Sequence, residues 1–329
     1  MKILAFESSC DETACAIVEN GNRVWSNVIA SQILTHRKTQ GVVPEVAARE
    51  HVSKLNLVFE EALKQAGLQM NDIDAVACSV EPGLVNCLLT GATMASTIAM
   101  IYKKPLIPVN HKLGHVLSCG LDCDEKLEYP QMVLSVSGGH NELYLLHSPT
   151  EIEMLGSTLD DAAGEAYDKV AKMLGLDYPG GPEISRVAKD GDPKAFKLPY
   201  PLPNQKYNFS FSGLKTNIKY LIDDLKDKGI FEENLANVAA SFQQTINHNL
   251  SRKLVEAAIK HGALEVHLVG GVSANLDLRE QIVAKLPKNM TFRRPVQFSY
   301  CTDNAAMIAG AAFYVDSKEW KQPGEALEV

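Results

Sequence analysis

The run His111-Lys112-Leu113-Gly114-His115 has residue types and spacing that could do chemistry. If it is helical, its two imidazoles project from one face with Cβ atoms about 5–6 Å apart, close enough to share a metal ion. Asn110 is placed to cap such a helix. Spacing alone leaves two readings open, because histidines four residues apart also occur on plain helix surfaces. Zinc proteases carry H-E-x-x-H, in which the Glu after the first His is the general base. Lys112 occupies that place and is cationic at neutral pH, so it cannot take the proton.

Other stretches offer parts of a site. Ser135-Val136-Ser137-Gly138-Gly139-His140 is a glycine-bearing bend after a strand, where backbone N–H groups can approach an anion. It has neither the Gly-Lys-Ser/Thr of a P-loop nor GxGxxG, and by itself it also reads as a hairpin turn. Leu268-Val269-Gly270-Gly271-Val272-Ser273-Ala274-Asn275 is a strand entering a Gly-Gly bend and a helix, which suits a nucleotide or a routine connection. Thr302 or Asp303 could cap the last helix. The acid-rich stretch from Asp160 to Asp168 fits a helix start favoured by the dipole. Asp11 and Glu12 stand in the first polar bend, where carboxylates could position a metal, a water or an amine.

These residues are carried by a pattern that occurs twice. Ile3–Phe6, Ala14–Val18 and Val24–Ile29 read as strands, the last two joined by Asn20-Gly21-Asn22, a strong hairpin signal. A helix is expected from Pro44 to about Ala66, a strand at Ala75–Val80, a helix from Leu84 to Tyr102 and a strand at Leu106–Val109. The plan restarts at Met132–Val136, Leu143–His147 and Ile152–Gly156. Helices follow near Ala162–Met173, Asn234–Lys260, Ala274–Leu286 and Thr302–Tyr314, with strands at Glu265–Gly271 and Thr291–Arg293. Lys189–Ser212 reads as an irregular excursion, and the residues after Lys318 as a loose tail. Two hairpin-led meanders with helices and parallel strands predict a duplicated α/β fold, its sheets covered on both faces and its ligand in a central cleft.

The 329 residues suffice for two domains or one bilobal unit. With 46% hydrophobic and 22% charged residues the chain is not a disordered one. No apolar run is expected to reach the roughly 18 residues of a membrane helix. Because Met1-Lys2-Ile3-Leu4-Ala5-Phe6-Glu7 runs straight into a strand-like segment, no targeting peptide is expected. Seven scattered cysteines show no disulfide framework and no paired zinc spacing, so a reduced, cytoplasmic protein is expected. The net charge of −8 opposes binding of a polyanion unless a basic strip or a partner supplies the contact.

Taken in order, several strings are diagnostic together. They are Glu7-Ser8-Ser9-Cys10-Asp11-Glu12-Thr13, Gly41-Val42-Val43-Pro44-Glu45-Val46-Ala47-Ala48-Arg49, His111–His115, Ser135–His140, Asp160–Asp168, Tyr178-Pro179-Gly180-Gly181-Pro182, Phe209–Thr216, Gly270–Asn275 and Thr302-Asp303-Asn304. From Ile3 to about Ala312 the chain resembles the bacterial TsaD family of tRNA N6-adenosine threonylcarbamoyltransferases. The resemblance implies a bilobal actin-like, sugar kinase and heat-shock ATPase fold, with two ribonuclease-H-like lobes. Lobe I would be 1–118 plus 300–329, and lobe II 119–299 with an insertion at about 185–235.

It further implies transfer of threonylcarbamoyl from threonylcarbamoyl-AMP to the N6 amine of the adenosine 3′ of the anticodon, in tRNAs reading codons that start with A. His111, His115 and Asp303 would bind one divalent metal, Fe(II) or alternatively Zn(II). Ser135, Val136, Ser137, Gly138, Gly139, Asp168, Gly181 and Asn275 would contact the nucleotide, and ATP, ADP or AMP would fit the same site. Asp11 and Glu12 would orient the nucleophile or the activated carbonyl, with Glu12 as proton acceptor. Family members often carry Asp shortly after the Pro-Gly-Gly-Pro turn, whereas this chain reads Pro182-Glu183-Ile184-Ser185. The implied partners are tRNA, the silent paralogue TsaB and the small ATPase TsaE, with no membrane. Lys189, Lys194, Lys197, Lys206, Lys215 and Lys219 could form a basic rim for tRNA. The competing readings are a kinase or ATPase of the same superfamily, a metallopeptidase and a non-enzymatic scaffold subunit.

Overall fold

The computed structural model describes residues 1–36, 41–202 and 204–329. They form two compact units, Met1–Leu127 with Pro295–Val329, and Glu128–Arg294. The strands of the first unit are β1 (Lys2–Glu7), β2 (Glu12–Glu19), β3 (Arg23–Ser31), β4 (Ala75–Glu81) and β5 (Leu106–Asn110). Its helices are α1 (Ile33–His36), α2 (Pro44–Ala66), α3 (Val85–Tyr102), α4 (His111–Leu117) and α10 (Ala305–Ala312). The second unit holds β6 (Gln131–Val136), β7 (Asn141–Ser148), β8 (Glu151–Ser157), β9 (Glu265–Val269) and β10 (Thr291–Arg293). With them are α5 (Ala163–Met173), α6 (Gly180–Ala188), α7 (Ser212–Asp227), α8 (Phe231–His261) and α9 (Leu276–Lys285).

The repeat read from the sequence is present as topology. The sheets run β3-β2-β1-β4-β5 and β8-β7-β6-β9-β10, the same order counted from each unit's first strand. In each, the first three strands form an antiparallel meander and the last two join in parallel. Asn20 and Gly21, left-handed at φ 53° and 72°, turn the chain in the three-residue loop Asn20–Asn22 between β2 and β3, closed by Glu19 pairing with Arg23.

In the first unit the alternation along a strand sorts residues into two cores. Ile3 and Ala5 face α10, whereas Leu4 and Phe6 face α2 and α3. Both faces of this sheet are therefore covered. In the second unit Met132, Leu134 and Val136 pack in a single core with all five helices, while the opposite face, also buried, mixes Gln131, Glu265 and His267 with Val133 and Val269.

Several expectations are corrected. The last helix begins at Ala305, because Asn304 caps it through Met307 N at 3.0 Å, which leaves Thr302 and Asp303 outside. The helix expected from Ala274 begins at Leu276, after a tight turn over Gly271–Ala274. The terminal segment is anchored: Lys321 bridges Leu106 of β5 through two backbone hydrogen bonds, and Leu327 packs on the α2–α3 core. Val85–Tyr102 does have the length and mean hydropathy (1.4) of a membrane-crossing helix. Its buried face, Cys87, Leu88, Ala92, Ala95, Ile98 and Ala99, packs against β4 and α2 as a core helix does. All seven cysteines are free thiols.

Lys253 of α8 is fully buried, and its Nζ donates to the carbonyls of Leu202 and Asn208, pinning the irregular excursion. Burial, with Arg252 adding, pushes its ammonium down to about 8. The folded chain thus loses this proton before the unfolded chain does, and stability rises with pH from about 8 toward the ordinary lysine value. Lys253→Met is expected to lose that rise in urea titrations between pH 8 and 10, and to expose residues 197–208 to limited proteolysis. An unchanged slope and digestion pattern would contradict the pinning role.

Candidate active site

The first unit assembles its candidate ligands from two distant stretches. β5 passes straight into α4, and Asn110 Oδ1 accepts from Lys112 N at 2.9 Å, the cap expected from the sequence. One turn apart, the His111 and His115 rings lie 4.8 Å between centroids and nearly perpendicular, at 86°. Both are buried. Because Asn304 does the capping, the Asp303 carboxylate turns to the imidazoles. Its Oδ1 lies 3.0 Å from His115 Nε2 and 3.6 Å from His111 Nε2.

Gly114 favours this approach. A Cβ there would stand 3.0 Å from Ile308 Cδ1 and Met307 Cγ, so a side chain between the histidines would press on α10 where it meets α4. The three donor atoms all lie within 4.8 Å of one another. Two imidazole nitrogens and one carboxylate oxygen fit a divalent transition metal, with coordination positions to spare.

Behind the ligands stands a carboxylate that the sequence reading did not single out. Glu7, at the end of β1, is fully buried, and its Oε2 lies 3.0 Å from His111 Nδ1. Its Oε1 accepts from Ser9 N at 2.6 Å, and Ser9 Oγ lies 3.1 Å from the same imidazole nitrogen. Burial opposes charge on Glu7, but His111 overcomes it and holds the carboxyl below the usual range. Burial also opposes charge on His111, and Glu7 and Asp303 together raise that imidazole to about 9. The signal available in the sequence was an acidic residue closing an apolar strand.

The bend between β1 and β2 carries Asp11 and Glu12. Burial pushes Glu12 up to about 10, with Asp11 and Asp303 adding, and its carboxyl hydrogen-bonds to Asp11. Ser31 Oγ donates to Glu12 Oε1 at 3.1 Å. At neutral pH Glu12 is therefore protonated and can donate a hydrogen bond. His51 of α2, expected only as one position of a buried stripe, anchors the bend. Its Nε2 donates to the Cys10 carbonyl at 3.0 Å and its Nδ1 accepts from Thr13 Oγ1 at 2.7 Å. Burial lowers its pKa, which keeps it neutral for both bonds.

The second unit contains the glycine bends. Ser135 and Val136 end β6, and Ser137 closes its own turn by accepting from His140 N at 3.1 Å, so its hydroxyl is engaged within the bend. Gly138 and Gly139 are exposed, with open space where side chains would project. α5 starts against this bend: Gly164 N and Glu165 N donate to the carbonyls of Ser137 and Gly138, and a Cβ on Gly164 would come within 2.6 Å of the Ser137 oxygen. Gly270, at φ 84°, has no room for a Cβ beside the Val136 carbonyl, which seats the second bend against the end of β6. Both bends thus lie past the carboxyl ends of neighbouring parallel strands, where open α/β sheets bind ligands.

Asp168 accepts from Gly180 N at 2.7 Å, beside Gly181 in the first turn of α6. Asn275 caps α9 through Leu278 N at 3.0 Å and donates to Gln243 and to Ser185 of α6. α6 therefore gathers Asp168, Gly181 and Asn275. The remaining acidic residues are structural. Asp160 caps α7 by accepting from Phe211 N and Ser212 N, and Asp161 pairs with Lys169 and Lys215. Lys215 is thereby committed, while Lys189, Lys194, Lys197, Lys206 and Lys219 are exposed.

The profile of tRNA N6-adenosine threonylcarbamoyltransferase, TsaD, matches residues 23–310. The chain belongs to the TsaD family. It is 46% identical over 314 residues to the tRNA N6-adenosine threonylcarbamoyltransferase of Listeria innocua, covering 94% of this chain and 90% of that one. It is 45% identical over 317 residues to that of Treponema denticola, covering 95% and 92%. Among solved structures, full-length HypF in its phosphate- and nucleotide-bound form superposes with a TM-score of 0.63 at 14% identity, covering 97% of this chain and 56% of that one. Component A of the Acidaminococcus fermentans (R)-2-hydroxyglutaryl-CoA dehydratase gives 0.55 at 13% identity, covering 97% and 99%. These likenesses show the actin-like ATPase fold. As a TsaD family member the chain is a transferase of tRNA modification.

Gly114→Val is expected to drive α10 from α4, at a cost of about 1–3 kcal/mol for overpacking, and to carry Asp303 away from the histidines. Calorimetry should show a lowered melting temperature, and elemental analysis a loss of bound metal. Full metal content in this variant would show that Asp303 does not depend on that contact.

Proposed function

We infer that this chain transfers the threonylcarbamoyl group of threonylcarbamoyl-AMP to the N6 amine of the adenosine 3′ of the anticodon, in tRNAs reading codons that begin with A, releasing AMP. The observation that carries this reading is the pairing of near-full-length TsaD similarity with a His111–His115–Asp303 donor set built in one unit.

The nucleophile is a weakly basic aromatic amine and the leaving group a phosphate, so positioning and charge stabilisation carry the reaction. His111, His115 and Asp303 would hold the metal, with Fe(II) suited to two imidazoles and a carboxylate and Zn(II) the alternative. When bound, such an ion supplies a Lewis acid for a carbonyl or phosphate oxygen. The backbone of Ser135–Gly139, with Asp168, Gly181 and Asn275, would bind the adenylate. Asp11 would take the proton that the attacking amine loses as the new C–N bond forms, and Glu12 would donate a hydrogen bond to the phosphate as the bond to AMP breaks. Burial, with Asp11 and Asp303 adding, keeps Glu12 protonated at neutral pH. Ser185 stands where the family often has Asp, so it would offer a hydroxyl rather than a carboxylate at that end of α6.

With a net charge of −8, tRNA binding would be shared with TsaB, and TsaE would act in the cycle. The exposed lysines from Lys189 to Lys219 would add local attraction. Mass spectrometry of nucleosides from tRNA incubated with this chain, both partners, ATP, threonine and bicarbonate should show threonylcarbamoyladenosine. Its absence, with preformed threonylcarbamoyl-AMP also unconsumed, would end this reading. In single turnovers Glu12→Gln, which keeps a donor, should remain within several-fold of the native rate, while Asp11→Asn should fall by about 10²–10⁴. The reverse order would exchange the two roles.

A further inference from the structure

We propose that Glu7 is a positioning residue for His111, keeping a hydrogen on Nδ1 so that Nε2 is the nitrogen given to a metal ion. This rests on the reading of His111, His115 and Asp303 as a metal centre. The geometry is one-directional. Glu7 Oε2 lies 3.0 Å from His111 Nδ1, while His111 Nε2 faces Asp303 Oδ1 at 3.6 Å. A carboxylate has no hydrogen to give, so the imidazole must donate, and a histidine that donates from Nδ1 ligates from Nε2.

The other oxygen of Glu7 is held in place by Ser9 N at 2.6 Å, which stops the carboxylate from turning away. β1 supplies the rigidity: Glu7 ends a strand paired on both sides, and all its residues from Ile3 onward are buried. His115 has no such support among the described residues, where its buried Nδ1 finds no hydrogen-bond partner. The orientation of the centre is therefore asymmetric. His111 is fixed from behind by Glu7, and His115 by the carboxylate in front of it.

The substitution Glu7→Gln tests this with almost no change in shape. Ser9 N would retain the amide oxygen, which leaves the amide NH2 facing His111 Nδ1. A donor there makes Nδ1 the acceptor, moves the imidazole hydrogen to Nε2 and blocks the ligating lone pair. Zinc affinity of the purified full chain, measured against a competing chelator, should fall about 10–100-fold, with the melting temperature of the metal-free variant close to native. Nitrogen-15 NMR of the zinc-loaded native protein, with the His111 signals assigned by His111→Asn, should show hydrogen on Nδ1 and zinc on Nε2. That measurement needs no variant at position 7. Zinc on Nδ1, or unchanged affinity in Glu7→Gln, would overturn the role of Glu7 while leaving the centre intact. Failure of the native chain to bind zinc or iron would overturn the centre itself.

Discussion

The contact on which the rest depends is the 3.0 Å approach of Asp303 to His115, between residues 188 apart in sequence. Neither partner reaches it alone. α4 must start directly at the end of β5, α10 must start two residues after the aspartate, and the two helices must touch at Gly114. Each condition has a local cause: the Asn110 cap, the Asn304 cap and a missing side chain. Asp303 is half-buried against two buried imidazoles, an arrangement that a proton or a metal ion between them would stabilise.

The duplicated topology sends one architecture to two uses. In the first unit the bend after the first strand carries acidic side chains, Asp11 and Glu12, and the turn region after the fifth strand carries histidines. In the second unit the corresponding first bend is Ser137-Gly138-Gly139, where side chains are absent and backbone is exposed. Side chains suit metal and proton chemistry, whereas bare backbone suits an anionic ligand.

Much of this was legible in the sequence because it is local. The hairpin at Asn20-Gly21, the helix from Pro44 to Ala66, the Asn110 cap and the repeated meander all follow from residues within one or two turns of each other. The family strings pointed to His111, His115 and Asp303 as candidate ligands, and these three lie together although Asp303 is remote in sequence. What escaped was set by packing across the fold. Asn304 rather than Thr302 or Asp303 caps α10, though all three residue types can cap. His51 and Glu7 look like ordinary members of a helix stripe and a strand end until the bend and His111 are placed beside them. The buried polar group Gln131, Glu265 and His267 on the second sheet was unreadable because its members are scattered over two strands. The apolar composition of Val85–Tyr102 reflects a core helix of small residues, and hydropathy alone could not separate that from a membrane-crossing one.

The bridge between Lys321 and Leu106 bears on solubility. β5 is the outermost strand of its sheet, and the returning tail occupies part of its free hydrogen-bonding edge. Trp320 and Leu327 hold that tail to the cores on the two sides of the sheet. A chain cut before this segment would keep every candidate ligand yet bare a strand border open to another molecule, the usual seed of edge-to-edge aggregation. The last residues thus act as a selvedge, finishing the weave of the sheet that carries the histidines.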